Sequence, residues 1–249
     1  MTDLTAQYLK EVTTRLERLA VPGGPIDDAI TAIAESLEAG GVVQAFGTGH
    51  SEAFAMEIAG RAGGLIATNR IALRTLVLRG DRKVSELGGA EFERDPNVGE
   101  NLLALFDVQP KDVFIIASNS GVNGSILGVA LAAKARGHKL IAVTSLDHTN
   151  RVKPKHPSGK RLSEVADIVI DNLAPFGDST MELEGGIGVG AVSSITAAFI
   201  AQRITIGVAE AIRRRGKTPP VYLSANIPGG DEHNRALEDL YGDRIRREA

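Results

Sequence analysis

Two segments of this chain place small hydroxyl, amide and glycine residues directly after an apolar run. Residues 42–46 lead into Gly47-Thr48-Gly49-His50-Ser51, and residues 113–117 lead into Ser118-Asn119-Ser120-Gly121-Val122-Asn123-Gly124-Ser125. A helical pattern follows each segment, so backbone N–H groups, hydroxyl groups and the positive end of a helix converge there. The spacing predicts an anion-binding turn that occurs twice in the chain.

Two common nucleotide motifs are disfavoured. The first turn begins like a dinucleotide fingerprint, but Glu52 stands at the third glycine position and would bring a carboxylate near a pyrophosphate. Neither turn contains a Gly-Lys-Ser/Thr sequence, so a nucleoside triphosphate loop is unsupported there. A turn whose glycines serve only the backbone is the alternative for the first segment. The second segment has more short donors than turn geometry requires, although Ser and Asn are also ordinary helix caps.

Three side chains are candidates for acid/base chemistry. Glu57, in the helix after the first turn, could remove a proton next to a carbonyl; the alternative is an i,i+4 ion pair with Arg61. Histidine is the natural proton shuttle near neutral pH. His50 adjoins the first turn, and His233 lies in a C-terminal segment that could reach a partner's cleft. An ordinary surface or hydrogen-bonding role is the alternative for each histidine, and we expect His138 at the surface.

Other ligand classes find less support. No His-Glu-x-x-His motif or close carboxylate triplet indicates a metal site, and we expect no cofactor. Residues 148–161 carry a local positive run, which is either a mobile lid that attracts phosphate or a solvated loop. The run consists of Arg151, Lys153, Lys155, Lys160 and Arg161. It lacks interleaved aromatic residues, which argues against binding of single-stranded nucleic acid.

The composition is that of an ordinary globular chain. It has 249 residues, 43% hydrophobic residues, a formal net charge of −3 and no cysteine. We expect one main domain, no overall electrostatic attraction to nucleic acid or acidic membranes, and no disulfide. The N-terminus lacks a basic region followed by an apolar one, so we expect a cytoplasmic protein. Residues 187–212 are weakly polar, but Gln202, Arg203 and Glu210 interrupt them; we expect a buried helix, in the core or at a subunit interface, and no membrane span.

Helical and strand patterns alternate along the chain. Apolar spacing predicts helices at residues 5–19, 26–39, 51–62, 101–106 and 125–135, with a long helix after residue 187. Strands are predicted at residues 42–46, 113–117, 139–144 and 166–170, with weaker candidates at 65–67, 72–78 and 221–223. Residues 79–96 have no secure assignment. This alternation predicts an α/β fold with a mostly parallel sheet covered on both faces, and ligands at the carboxyl ends of its strands.

Several motifs carry a resemblance to a known family. The first turn, the Ser-Asn-Ser-Gly-Val-Asn loop and the strand that ends in Thr144-Ser145 resemble the sugar isomerase (SIS) domain of phosphosugar-binding proteins, over nearly the whole chain. Further segments are similar to a bacterial group of SIS-domain proteins, and they do not indicate a reaction. These segments are residues 156–162, residues 166–172, Gly177-Asp178, Ser224-Ala225-Asn226 and Gly230-Asp231.

The resemblance implies a flavodoxin-like three-layer α/β/α sandwich and a homodimer. It implies a single SIS domain over residues 1–249, with an N-terminal helical segment at about 1–40 and a C-terminal arm at about 217–249. Phosphoheptose isomerase and N-acetylmuramic acid 6-phosphate etherase are distant relatives, in which acid/base side chains transfer protons. We therefore expect a phosphorylated sugar as ligand and no nucleic-acid or membrane partner.

The resemblance also assigns roles to individual residues. Phosphate would be held by the second turn, with Asn123 at a position where such loops often have threonine. The first turn would face the sugar, although Ser51 is also a candidate helix cap. The phosphate and sugar candidates are thus Gly47, Thr48, Gly49, Ser51, Ser118, Asn119, Ser120, Gly121, Asn123 and Ser125. We expect a sugar-phosphate isomerase in which Glu57 with His50 or His233 exchanges protons through an enediol; a non-catalytic phosphosugar sensor and a lyase or etherase are the alternatives.

Overall fold

A computed structural model describes residues 4–88 and 91–246 of the chain. Parts of three predicted segments lie outside the described residues. They are residues 1–3 of the N-terminal helical segment, residues 89–90 of the unassigned stretch and residues 247–249 of the C-terminal arm.

Five parallel strands form the central sheet. They are β1 (Val43–Gly47), β2 (Thr68–Ile71), β3 (Val113–Ala117), β4 (Lys139–Thr144) and β5 (Ile168–Asp171). The strand order β2-β1-β3-β4-β5 is that of a flavodoxin-like sheet, which confirms the predicted fold class. Val43 pairs with Val113 and Val113 with Lys139, so β1, β3 and β4 end at the same edge. A separate antiparallel hairpin consists of β6 (Ser179–Leu183) and β7 (Ile187–Ala191).

Eleven α-helices are found among the described residues. They are α1 (Leu4–Ala20), α2 (Pro25–Glu38), α3 (Glu52–Ile58), α4 (Thr75–Leu78), α5 (Glu91–Arg94), α6 (Val98–Leu103), α7 (Gly124–Ala135), α8 (Leu146–Thr149), α9 (Leu162–Val165), α10 (Ser193–Arg214) and α11 (Gly230–Glu238). Pro25 opens α2, where its missing N–H costs nothing. The long α10 packs against α2 and α3.

The helices cover both faces of the sheet because its strands alternate. Val113, Ile115 and Ala117 face one core, together with residues of α1, α2, α3 and α10. Phe114 and Ile116 face the other, together with residues of α4 to α7 and α9. Buried runs on both faces are expected of a parallel sheet with helices on each side. The result is the three-layer sandwich.

Several predicted elements differ from those observed. Residues 72–78 were predicted as a strand, but they end in the short helix α4, and the strand β2 lies before them. The prediction was wrong because a short apolar run does not distinguish a strand from a helix. The helix after the first turn ends at Ile58, since Ala59 is extended and bridges Leu65. Residues 221–223 contribute only a bridge from Val221 to Leu65. The hairpin was not predicted; its turn contains Gly185-Gly186, a sequence that favours hairpins.

Burial of the long helix at a subunit interface stays a prediction, and the predicted exposure of His138 needs correction. α10 begins at Ser193, and only its inner stripe is buried, while Ile195 and Ile206 are exposed. By length and apolar composition α10 meets the criteria for a membrane span, as core helices of globular folds also do. His138 is not a surface residue but only 4% exposed; its Nδ1 lies 3.1 Å from the Asp112 carbonyl oxygen and its ring packs on Phe114.

Candidate ligand-binding site

A cleft lies at the carboxyl ends of β1 and β3, between the two predicted turns and the start of α10. Its polar lining consists of His50, Ser51, Ser118, Asn119, Asn172, Ser193 and Ser194. Its apolar wall includes Phe54 of α3 and Ala197 of α10. The cavity volume is about 20 Å³, close to the space that one water needs. A sugar phosphate therefore needs this cleft to widen or binds above its floor.

The first turn is tight. A Cβ on Gly47 would lie 2.3 Å from the Ser51 carbonyl oxygen, and Gly49 has a φ of +55°, so both positions favour glycine. The Ser51 side chain makes no capping hydrogen bond to α3, and its hydroxyl lines the cleft. His50 is exposed beside it. The turn therefore presents a hydroxyl and an imidazole to the same space.

The second turn is held by a hydrogen bond within it and by contacts with Thr144 and Asn172. The Ser118 hydroxyl accepts a hydrogen bond from the Gly121 N–H at 3.1 Å. Gly121 has a φ of +62°, and a Cβ there would lie 3.1 Å from Thr144 Oγ1. The Asn119 side-chain oxygen accepts a hydrogen bond from Asn172 at 3.1 Å, which leaves the Asn119 amide N–H groups available to a ligand.

Asn172, Ser193 and Ser194 are cleft residues that sequence reasoning did not select. Ser193 is fixed by Asp178, whose carboxylate accepts hydrogen bonds from the Ser193 N–H (2.8 Å) and hydroxyl (2.6 Å). Asp178 has a φ of +68°, an uncommon conformation for a residue other than glycine. Asn172 and Asp178 both lie in motifs that carried the family resemblance, and this was the available signal.

Three predicted ligand residues contact another residue, Glu93 of α5. Glu93 Oε1 accepts hydrogen bonds from Thr48 Oγ1 at 3.0 Å and from Asn123 Nδ2 at 2.6 Å. The Ser125 hydroxyl donates to the Glu93 carbonyl oxygen at 2.6 Å. Glu93 was missed because it lies in the stretch without an assignment. It thus connects the two turns.

Two of the candidate acid/base residues do not line this cleft. Glu57 forms an ion pair with Arg61, the alternative considered for it, and accepts a hydrogen bond from Gln202 at 2.6 Å. His233 lies on α11, with its Nε2 3.0 Å from the Val221 carbonyl oxygen. Within one chain, only His50 of the three candidates lines the cleft.

The backbone of the basic run contacts the second turn, whereas four of its five basic side chains, Arg151, Lys153, Lys155 and Lys160, are exposed. The Lys155 ammonium donates to the Asn123 side-chain oxygen at 3.3 Å, and Arg161 donates to the Thr149 and Val152 carbonyl oxygens. Burial lowers the pKa of His156, and a hydrogen bond with the Pro96 backbone partly offsets this lowering. Across residues 4–88 and 91–246 no cluster of three or more acidic or histidine side chains could hold a metal ion.

Comparison with solved structures supports the fold. Phosphoheptose isomerase from Francisella tularensis superposes with a TM-score of 0.54 at 17% identity, covering 84% of this chain and 100% of that one. The phosphoheptose isomerase GmhA from Neisseria gonorrhoeae superposes with a TM-score of 0.53 at 19% identity, covering 83% and 95%. At these identities the likeness concerns the fold alone.

Comparison with other sequences establishes the family. The SIS domain family matches residues 7–145. The UPF0309 protein lmo0025 from Listeria monocytogenes is 39% identical over 237 residues, which is 95% of each chain. The UPF0309 protein GK1441 from Geobacillus kaustophilus is 34% identical over 241 residues, or 96% of this chain and 94% of that one. This chain therefore belongs to the SIS domain family, among its UPF0309 proteins.

Proposed function

We propose that this protein binds a phosphorylated sugar and isomerises it by proton transfer through an enediol. One observation carries the proposal: uncharged donors from three elements converge at the carboxyl ends of β1 and β3. They are the first turn, the second turn and the first residues of α10. Such a convergence of N–H and hydroxyl donors suits a ligand with one anionic group and several hydroxyls. Membership of the SIS family supports a phosphosugar as that ligand.

The phosphate is proposed to bind at the second turn. The backbone and side chains of Ser118, Asn119 and Ser120 lie just before α7, whose positive end favours an anion. Glu93 accepts hydrogen bonds from Thr48, Asn123 and Ser125, so these three residues act on the ligand through Glu93. The sugar carbons then extend towards His50 and Ser51 of the first turn.

Proton exchange is proposed for Glu57 together with His50 or His233. His50 is the only titratable residue among those that line the cleft. Glu57 and His233 therefore need a second copy of the chain in order to act in the same cleft. General acid/base catalysis contributes about 10² to 10⁴-fold to a rate, so removal of the true base should stop turnover without abolishing binding.

A homodimer is proposed on the α3 and α10 side. Met56, Ile195 and Ile206 are exposed there, and Ala53 and Ser194 on the same two helices line the cleft. An apolar face that continues from the cleft suits a second copy of the chain, which would bury these side chains and enclose the ligand.

A non-catalytic phosphosugar sensor is the second candidate. It is favoured by the observation that the cleft of one chain has His50 but no carboxylate in its lining. A lyase or etherase begins with the same proton abstraction, and product analysis distinguishes it from an isomerase.

The test combines binding with turnover. Purified protein is heated with a panel of sugar phosphates and their unphosphorylated counterparts, because a ligand that binds the native state raises the melting temperature. We expect stabilisation by a phosphosugar alone, weakened by Ser120→Ala and unaffected by the exposed control Ser85→Ala. Absence of a shift with every member would contradict the proposal.

The stabilising phosphosugar is then incubated in D₂O and followed by NMR. An isomerase incorporates deuterium next to the carbonyl and forms the isomer, and His50→Gln should abolish both while binding persists. Binding without exchange identifies the sensor, whereas loss of a substituent identifies the lyase.

A further inference from the structure

The Glu93 carboxylate lies between the two turns, although the proposed ligand is itself an anion. Its Oε1 accepts hydrogen bonds from Thr48 of the first turn and Asn123 of the second. Its Oε2 points towards Gly49, where a Cβ would lie 3.8 Å away. No hydrogen bond engages Oε2 within residues 4–88 and 91–246. One carboxylate oxygen is thus fixed, and the other faces the first turn.

Close backbone packing fixes this position. A Cβ on Gly124 would lie 1.9 Å from the Arg94 carbonyl oxygen, and one on Gly128 would lie 2.6 Å from that of Pro96. A Cβ on Gly99 would lie 2.2 Å from the Gly128 carbonyl oxygen. The residues that flank Glu93 therefore pack against α7 at distances that only glycine permits. This packing holds the backbone that carries the Glu93 side chain next to the two turns.

Asn123 contacts a negatively charged side chain with one side-chain atom and a positively charged one with another. Its side-chain N–H group donates to Glu93, and its side-chain oxygen accepts from the Lys155 ammonium at 3.3 Å. The Glu93 carboxylate bonds both turns through Oε1, but its Oε2 faces Gly49 of the first turn, whereas the Lys155 ammonium contacts Asn123 of the second turn. An anionic ligand is attracted to the Lys155 side and repelled from the Glu93 side.

We propose that Glu93 is a specificity-determining residue, which excludes a second anionic group from the first-turn end of the cleft. This inference rests on the proposed function. The phosphate then binds at the second turn, and only uncharged carbons of the sugar lie near Thr48 and Gly49. The proposed substrates are therefore sugar monophosphates. Sugar bisphosphates and phosphorylated sugar acids would be excluded from the cleft.

The test compares matched ligands by titration calorimetry. Each aldose phosphate is paired with its aldonic acid: glucose 6-phosphate with 6-phosphogluconate, and arabinose 5-phosphate with 5-phosphoarabinonate. The variant Glu93→Gln keeps the Oε1 acceptor but removes the charge. Glu91→Gln is the control, because Glu91 is an exposed residue of the same helix and its replacement by Gln changes the net charge by the same amount.

We expect the wild-type protein and Glu91→Gln to prefer the aldose phosphate by at least about tenfold, the repulsion expected for two like charges about 12 Å apart near a protein surface. Glu93→Gln should reduce that preference to about threefold or less. Lys155→Gln should weaken the binding of both ligands and leave the ratio of their dissociation constants unchanged.

Equal binding of both ligands by the wild-type protein would overturn the inference without needing a variant. A preference that Glu93→Gln leaves intact would also overturn it. In both cases the proposed function stands, because the aldose phosphate binds. Failure to bind by every member of the pairs and by every phosphosugar of the thermal panel would overturn the proposed function, and this inference with it.

Discussion

At the scale of single residues, the same side-chain type serves different purposes in this chain. Ser51 and Ser145 both follow a strand and precede a helix, where serine is favoured as a cap. Only Ser145 caps: its hydroxyl accepts the His148 N–H at 3.0 Å and donates to the Ala174 carbonyl oxygen at 2.6 Å. The Ser51 hydroxyl is left for a ligand.

Ser51→Ala should therefore change ligand binding without changing stability. We expect the free energy of unfolding to fall by less than about 0.5 kcal/mol, because no capping bond is lost. Loss of one hydrogen bond to a phosphosugar should weaken binding about three- to tenfold. Urea denaturation and calorimetry measure the two effects. Ser145→Ala is the control and should cost about 1–2 kcal/mol; an equal loss at Ser51 would mean that it caps α3.

At the scale of elements, the site depends on contacts between backbones. Glu93 belongs to a helix of four residues, which is too short to be stable by itself. It is held because Gly124 and Gly128, one turn apart on α7, admit the backbone of residues 94–96. A change at α7 should therefore disturb the link between the two turns.

Gly124→Ala should destabilise the fold by about 1–3 kcal/mol, the usual cost of forcing an extra group into a packed interior. Its Cβ would lie 1.9 Å from the Arg94 carbonyl oxygen, so that the backbone beside Glu93 must move. Thermal denaturation is the measurement. Gly88→Ala is the control, because its Cβ would come no nearer than 3.7 Å to any atom, and an effect of similar size there would contradict this explanation.

At the scale of the whole molecule, the C-terminal segment is attached to the amino-end side of the sheet. The Arg244 guanidinium donates to Asp112 Oδ1 at 2.6 Å and to the Gly40 carbonyl oxygen at 2.6 Å. Asp112 is buried and also accepts from Gln44 and from two backbone N–H groups. This network joins α2, β1, β3 and the C-terminal segment, on the side of the sheet opposite the cleft.

Arg244→Met should lower the free energy of unfolding by about 2–3 kcal/mol. Removing one partner of a buried ion pair costs about 3–5 kcal/mol, and Asp112 keeps its other donors. Urea denaturation measures the change. The exposed Arg235, whose guanidinium donates to the Asp231 carbonyl oxygen, provides the control Arg235→Met. A loss below about 0.5 kcal/mol for both variants would mean that the attachment contributes little.

The proposed homodimer gives a prediction at the same scale. Ile206 is 65% exposed on α10, and Leu78 is 68% exposed on α4, in the opposite helical layer. A carboxylate at the interface would be buried without a partner, so Ile206→Asp should shift the protein to a monomer in analytical ultracentrifugation. Leu78→Asp should remain a dimer. A wild-type monomer at micromolar concentration would contradict the proposal.

The prediction from sequence succeeded where local pattern and layer architecture agree. The strands β1, β3, β4 and β5 were predicted to within about two residues, because buried parallel strands appear as continuous apolar runs. The family was also correctly identified, since its motifs lie at the turns. The prediction was wrong for two short elements: residues of α4 were predicted as a strand, and β2 lies between two weak strand candidates, because each has too few residues for periodicity to be decisive.

The sequence by itself determined the sheet, its two turns and the kind of donors that they present, because these depend on local apolar periodicity and on glycine at fixed positions. Tertiary structure alone decided which donors face the cleft. Ser194 of α10 lines the cleft, and Glu93 accepts hydrogen bonds from Thr48 and Asn123, which lie 45 and 30 positions away from it in the chain. The physical reason is that a hydrogen bond depends on distance in space, and no local pattern encodes which distant backbone will pack against a glycine of α7.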